Sequence, residues 1–130
     1  LVLLVDDVEP VPLLARGPAL RHHPTLGPGG ANVNWVAPVG DGTFRMRTYE
    51  RGVEAETLSC GTGAVACALA LEEQGLARSP VTIWTRSRMP LVVTWELNER
   101  GATSIRLRGE GRLVFRGIVG DMVRHKQTPA

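Results

Sequence analysis

Short apolar runs, punctuated by Gly, Pro and Asp, dominate this chain, and runs of that length between turn residues read as strands. Residues 1–5 predict a buried strand, closed by Asp6, Asp7, Glu9 and Pro10. From 12 to 23 the spacing of Leu13, Leu14, Ala19 and Leu20 predicts short helical pieces. They should break near Gly17-Pro18, because proline lacks a donor and clashes with the preceding turn. After a Gly/Pro-rich loop over 24–30, two β-rich runs at 31–39 and 43–50 flank Gly40-Asp41-Gly42, a hairpin signal. In the second run Arg45, Arg47 and Tyr49 share one face, and Phe44, Met46 and Thr48 share the other. A charged loop over 51–56 leads to Ser59-Cys60-Gly61-Thr62-Gly63 and then to a helix stopped by Gly75. The first two turns of that helix are apolar on every side, so it should be wrapped by other structure. Further strands are predicted at 81–85, 91–97, 103–107 and 112–119, with a turn at 98–101. One buried central helix and about seven strands imply an α+β fold, a curved, mostly antiparallel sheet or barrel around the helix.

Composition narrows this picture. The chain has 130 residues, 43% hydrophobic and 22% charged, which fits one compact domain over 1–130. Fifteen Gly and nine Pro favour short elements over a long-helix bundle. The basic residues are all Arg except Lys126, and the acids leave a net charge of only +2, too weak to argue for nucleic acid or a membrane. Cys60 and Cys67 stand seven residues apart in one helix, roughly 10 Å along its axis, which rules out a disulfide between them. With no Cys framework and no long apolar span, a reducing cytoplasmic setting is expected. The chain begins without Met in what reads as a strand, which suggests a piece of something longer.

Candidate chemistry concentrates at Cys60-Gly61-Thr62-Gly63. The first N–H groups of a helix lack internal acceptors and carry partial positive charge, so such ends bind anions and favour a thiolate. The two glycines would let a carboxylate or phosphate approach the backbone. The alternative is that Cys60 is a small buried hydrophobe, the reading that fits Cys67. A Cys-based phosphatase needs an Arg six residues after the Cys, where this chain has Ala66. A Cys-His hydrolase would need His22, His23 or His125, none of which lies in a recognisable motif, and the Cys spacing does not suit zinc. Glu50 and Arg51, closing a strand ten residues earlier, could supply a base and a cation, or form a surface charge cluster. Asn32 and Asn34 share a strand face that is either solvated or the polar floor of a pocket.

Three segments in order, Gly30-Ala31-Asn32-Val33-Asn34-Trp35-Val36, Arg47-Thr48-Tyr49-Glu50-Arg51-Gly52 and Glu56-Thr57-Leu58-Ser59-Cys60-Gly61-Thr62-Gly63-Ala64, resemble the C-terminal half of diaminopimelate epimerase. The resemblance covers nearly the whole chain. It implies a cofactor-independent inversion of one α-carbon of an amino-acid substrate, LL-diaminopimelate, by two thiols on opposite faces. Carried over by position, Cys60 is one thiol, Glu50 helps deprotonate it, Asn32 and Arg51 contact substrate, and the Gly61 and Thr62 amides cradle the reacting carboxylate. No metal or cofactor is implied. The family's N-terminal half, with its own Cys-Gly-Asn-Gly motif, is missing here, as is a Gly-Asn-Pro-His segment ahead of the first strand. That half is the expected partner, and the chain alone is expected to be inactive and open to homo-oligomerisation. Glu54-Ala55 makes one loop a residue longer than in many members, and residues 86–90 and 107–111 depart from the family's usual turns. Proline racemases and phenazine-type isomerases share the architecture. A non-catalytic anion-binding domain, or an Arg-rich nucleic-acid binder using Arg45/Arg47, Arg86/Arg88 and Arg106/Arg108, stands as the alternative class.

Overall fold

The computed structural model describes residues 1–120. In chain order these form β1 (Val2–Leu4), α1 (Leu13–Arg21), a 3-10 turn (Pro24–Leu26), β2 (Val33–Gly40), β3 (Thr43–Glu50), β4 (Ala55–Thr57), α2 (Gly61–Glu73), β5 (Val81–Trp84), β6 (Pro90–Asn98) and β7 (Gly101–Arg108). All seven strands join one sheet in the order β1-β2-β3-β5-β6-β7, with β4 beside the end of β3. The pairs β1/β2 and β3/β5 are parallel and the others antiparallel. Helix α2 touches both edge strands, β1 and β7, as well as β2, β5 and β6. Laid flat, six strands would span about 24 Å, roughly twice the width of a helix, so the sheet must curl around α2. The α+β class and the curled, mostly antiparallel sheet are as the sequence led us to expect.

Two apolar layers follow from the strand alternation. Val36, Phe44, Met46, Val81, Ile83 and Val93 face α2, whose Ala64, Cys67, Ala68 and Leu71 close that core. The small side chains on this stripe bring the helix close to the sheet. Val33, Trp35, Ala37 and Tyr49 point to the opposite face, where Val8 and Leu13 cover them. The Gly40-Asp41-Gly42 hairpin forms as expected, with Asp41 (φ 43°) and Gly42 (φ 68°) in the left-handed region. Gly75 (φ 72°) ends α2 after Glu73, also as expected.

Several expectations fail for physical reasons. Residues 112–119 form no strand; residues 109–120 have no regular structure and are exposed, because no strand among the described residues pairs with them. Residues 12–23 hold one continuous helix with Pro18 inside it. Its Gly17 lies so close to the ring of Tyr49 that an added Cβ would be 2.3 Å from Cδ2. That tertiary packing outweighs the proline's local cost. The loop over 51–56 contains β4, paired with the end of β3. Strand β1 is a half-buried edge rather than a buried strand, and α2 leaves Thr62 and Ala66 exposed instead of being wrapped on all sides.

Arg47 and Tyr49 do share a face, but that face is covered rather than solvated. The Arg47 guanidinium makes a bidentate pair with Glu56 (2.7 and 3.0 Å) and donates to the carbonyls of Val8, Glu9 and Val11. It thereby pins the segment entering α1 to β3 and β4. Its bond holds the Glu56 carboxyl below the ordinary glutamate range. The pair therefore contributes fully above that range, and the contribution is lost as the pH falls through the depressed value. Arg47→Met is expected to cost on the order of 3 kcal/mol, since it strands a largely buried carboxylate and three carbonyls. Urea unfolding at pH 7 checks this, and the deficit should shrink as Glu56 is protonated. An unchanged midpoint would show that the clamp carries no stability.

Candidate active site

Helix α2 begins at a place where a thiol, rather than a hydroxyl or carboxylate, caps its first turn. Cys60 is extended (φ −134°, ψ 107°), and its Sγ accepts the Gly63 N–H at 3.4 Å. The Asn32 Nδ2 donates to the same sulfur at 3.6 Å, and the Thr62 hydroxyl lies 3.5 Å from it. The following Gly61 and Thr62 N–H groups have no acceptor among the described residues. They are the unsatisfied helix-start donors that bind anions.

Strands β2 and β3 hold this corner from below. Asn34 is 1% exposed; its Oδ1 accepts from the Thr48 hydroxyl at 2.8 Å and its Nδ2 donates to the Leu1 carbonyl at 3.2 Å. A Cβ on Gly63 would sit 2.4 Å from that Oδ1, so only glycine lets the first turn of α2 settle there. Two residues earlier, Asn32 uses its Oδ1 to accept the Arg51 N–H at 2.8 Å while its amide reaches Cys60. One side chain thus ties the thiol to the turn that carries Arg51. The Arg51 side chain is exposed and makes no ion pair among the described residues, which leaves it available for an anionic ligand.

The structure therefore gathers Asn32, Arg51, Cys60, Gly61 and Thr62 at one end of the sheet. Glu50 lies next to them at the end of β3, where its Oε2 accepts from the Thr57 hydroxyl at 2.7 Å. It is not among the hydrogen-bond partners of the Cys60 sulfur. The two asparagines form a polar floor rather than a solvated face. Sequence reasoning offered Asn34 as part of that floor but missed Thr48, its support, although their direct cross-strand register follows from the hairpin. It also missed Arg21, which is 8% exposed and binds Glu54 and the Gly29 carbonyl, bracing the loops before Asn32 and after Arg51. Both cysteines are free and buried: Cys60 is 5% exposed at the start of α2, and Cys67 is fully buried on the face of the same helix that meets the sheet.

Comparison with known proteins decides the family. A family model described as diaminopimelate epimerase matches residues 1–111. The chain belongs to the diaminopimelate epimerase family. A diaminopimelate epimerase of Gemmatimonas aurantiaca is 49% identical over 129 residues, a match covering 94% of this chain and 47% of that protein. The diaminopimelate epimerase of Aquifex aeolicus is 42% identical, with 94% and 43% covered. The chain thus spans a little under half the length of these curated relatives. Among solved structures, a Bacillus anthracis phenazine biosynthesis protein of the PhzF family aligns with a TM-score of 0.55 and 27% identity, over 82% of this chain and 34% of that one. Among the described residues no helix is long and apolar enough to cross a membrane.

The two thiols differ in a way that chemistry can read. Burial pushes the Cys67 thiol up to about 12, so near neutral pH it stays protonated and inert. Cys60, 5% exposed at the start of the helix, is held among hydrogen-bond donors. Brief iodoacetamide treatment at neutral pH is expected to label Cys60 at least about ten-fold faster than Cys67, as located by peptide mass spectrometry. Equal or reversed labelling would remove Cys60 as the reactive group.

Proposed function

We propose that this chain is one domain, the C-terminal half of a diaminopimelate epimerase, and that Cys60 is one of two acid/base thiols in a cofactor-independent proton transfer. The observation that carries the reading is the Cys60 sulfur at the start of α2, beside two amides without acceptors and bridged by Asn32 to the Arg51 turn. A diaminopimelate carboxylate placed against the Gly61 and Thr62 N–H groups would set its α-carbon next to the sulfur. The Cys60 thiolate then takes the α-proton from one face. The electron pair left on carbon delocalises into the carboxylate, where the helix-start amides stabilise the developing charge. A thiol on the opposite face, supplied by the other half, donates a proton to carbon and completes the inversion. Glu50 acts as the carboxylate that receives the Cys60 proton beforehand, and Asn32 and Arg51 orient the substrate.

The Arg-rich alternative is weakened by the acids among the arginines. Glu9 lies 3.9 Å from Arg45 and 3.1 Å from Arg86, and Glu56 is paired with Arg47. These contacts neutralise much of the charge that a polyanion would need.

The chain alone is expected not to invert diaminopimelate, because its second thiol, Cys67, lies buried along the same helix and cannot supply the acid needed on the opposite face of the substrate. At most, slow exchange of the α-hydrogen with solvent deuterium should occur, with retained configuration. Adding the missing half should restore inversion, and Cys60→Ala should then lower its rate by about a thousand-fold or more. Chiral chromatography of the product in deuterium oxide reads both outcomes. Inversion by the 130-residue chain at enzyme-like rates would contradict the two-thiol account.

A further inference from the structure

On the face of the sheet turned away from α2 lies a groove of about 700 Å³, a volume in the range of small-ligand sites. Parallel pairing of β3 with β5 sets Arg45 beside Trp84, and the turn from β5 to β6 adds Arg86 and Arg88. Arg47 also lines the groove, but its guanidinium is committed to Glu56 and to three carbonyls. Glu9 is the one acid in the lining among the described residues, 3.9 Å from Arg45 and 3.1 Å from Arg86. Glu56 comes within 3.8 Å of Arg86, yet its charge is already matched by Arg47. Arg45, Arg86 and Arg88 thus face a single free carboxylate, which leaves a surplus of two positive charges.

Arg88 shows that this arrangement is built into the backbone. Its φ of 62° lies in the left-handed region, where glycine is the unstrained choice and a long side chain is held at a cost. The side chain is exposed and makes no hydrogen bond or ion pair among the described residues, so no contact within them offsets that cost. Such local strain points to a ligand that the strained residue meets. The turn itself is firmly held. The Arg88 N–H donates to the Thr85 carbonyl at 3.0 Å, the Thr85 and Ser87 hydroxyls lie 2.8 Å apart, and the Ser87 N–H donates to the Leu58 carbonyl at 2.8 Å. Next to these cations Trp84 is 39% exposed, a large aromatic side chain left open on the groove.

We propose that this groove binds a nucleoside monophosphate, with its phosphate among Arg45, Arg86 and Arg88 and its base against the Trp84 indole. A phosphate monoester carries close to two negative charges at neutral pH, which matches the surplus. Guanidinium forks fit phosphate oxygens, and an indole accepts a flat base by stacking. A longer nucleic acid fits less well, because Glu9 and Glu56 interrupt the row of arginines. The groove uses none of the residues assigned to the Cys60 site, so the inference stands apart from the epimerase reading.

The test is a titration of the 15N-labelled 130-residue chain with adenosine 5′-monophosphate, read by amide and indole NMR shifts. Saturable shifts are expected at Arg45 and over residues 84–88, with binding at least about ten-fold tighter than for inorganic phosphate or adenosine alone. Arg88→Gly suits the left-handed backbone and so keeps the fold; it should weaken binding at least about ten-fold while the α2 resonances stay in place. Trp84→Ala should bring the nucleotide's affinity down to that of inorganic phosphate. Absence of saturation, an unchanged affinity in Arg88→Gly, or phosphate binding as tightly as the nucleotide would each overturn the proposal. So would a single-stranded oligonucleotide that binds far more tightly with shifts spreading to Arg106 and Arg108, which would mean a polyanion surface instead.

Discussion

The close approach of the first turn of α2 to β2, at Gly63 over Asn34, is the constraint on which the site depends. A side chain at Gly63 would collide with the Asn34 amide oxygen, so the helix can dock there only as bare backbone. Docked, it presents its first N–H groups at the rim of the sheet. It also needs a cap that fits beside Gly63, and the Cys60 sulfur, accepting the Gly63 N–H, fills that place. Asn34 is itself fixed by Thr48 on the neighbouring strand and by the Leu1 carbonyl. The thiol's position is thus set by two strands, one helix and the backbone carbonyl of Leu1 together. Such support from rigid elements keeps a side chain in place without spending binding energy on ordering it.

The opposite face of the sheet does a different job. There Arg47 gathers three carbonyls and the Glu56 carboxylate, and Tyr49 receives Gly17 of α1. These contacts hold β4 against β3, and β4 leads directly to Cys60. Covering this face with α1 therefore stiffens the approach to the site from behind. Arg21, bonded to Glu54 and to the Gly29 carbonyl, ties together the two loops that carry Arg51 and Asn32.

Much of this was legible in the sequence, and what was not depends on contacts distant along the chain. Alternation along β2 and β3 and the Gly40-Asp41-Gly42 turn are local signals, and they placed those strands and their faces correctly. The glycine-flanked Cys60 marked the helix start for the same reason. That α1 runs through Pro18 could not be read locally, because the contact between Gly17 and Tyr49 joins residues more than thirty positions apart. Strand β4 was hidden by its charge, since Glu56 looks solvent-bound until Arg47 is seen to pair with it. Asn34 looked equivalent to Asn32 because periodicity assigns a face but not a partner. The expected strand over 112–119 is a case where the pattern is strand-like and no partner strand lies among the described residues.

The central claim is that an amino-acid carboxylate is received at the start of α2. The direct measurement is a titration of the 15N-labelled chain with diaminopimelate, followed by backbone amide NMR shifts. The largest changes are expected at Gly61, Thr62 and Gly63, with smaller ones at Asn32 and Arg51, and none when buffer alone is added in place of the ligand. Shifts centred instead on Arg45 and Arg86, the arginines beside Glu9, with the α2 amides unmoved, would contradict that claim.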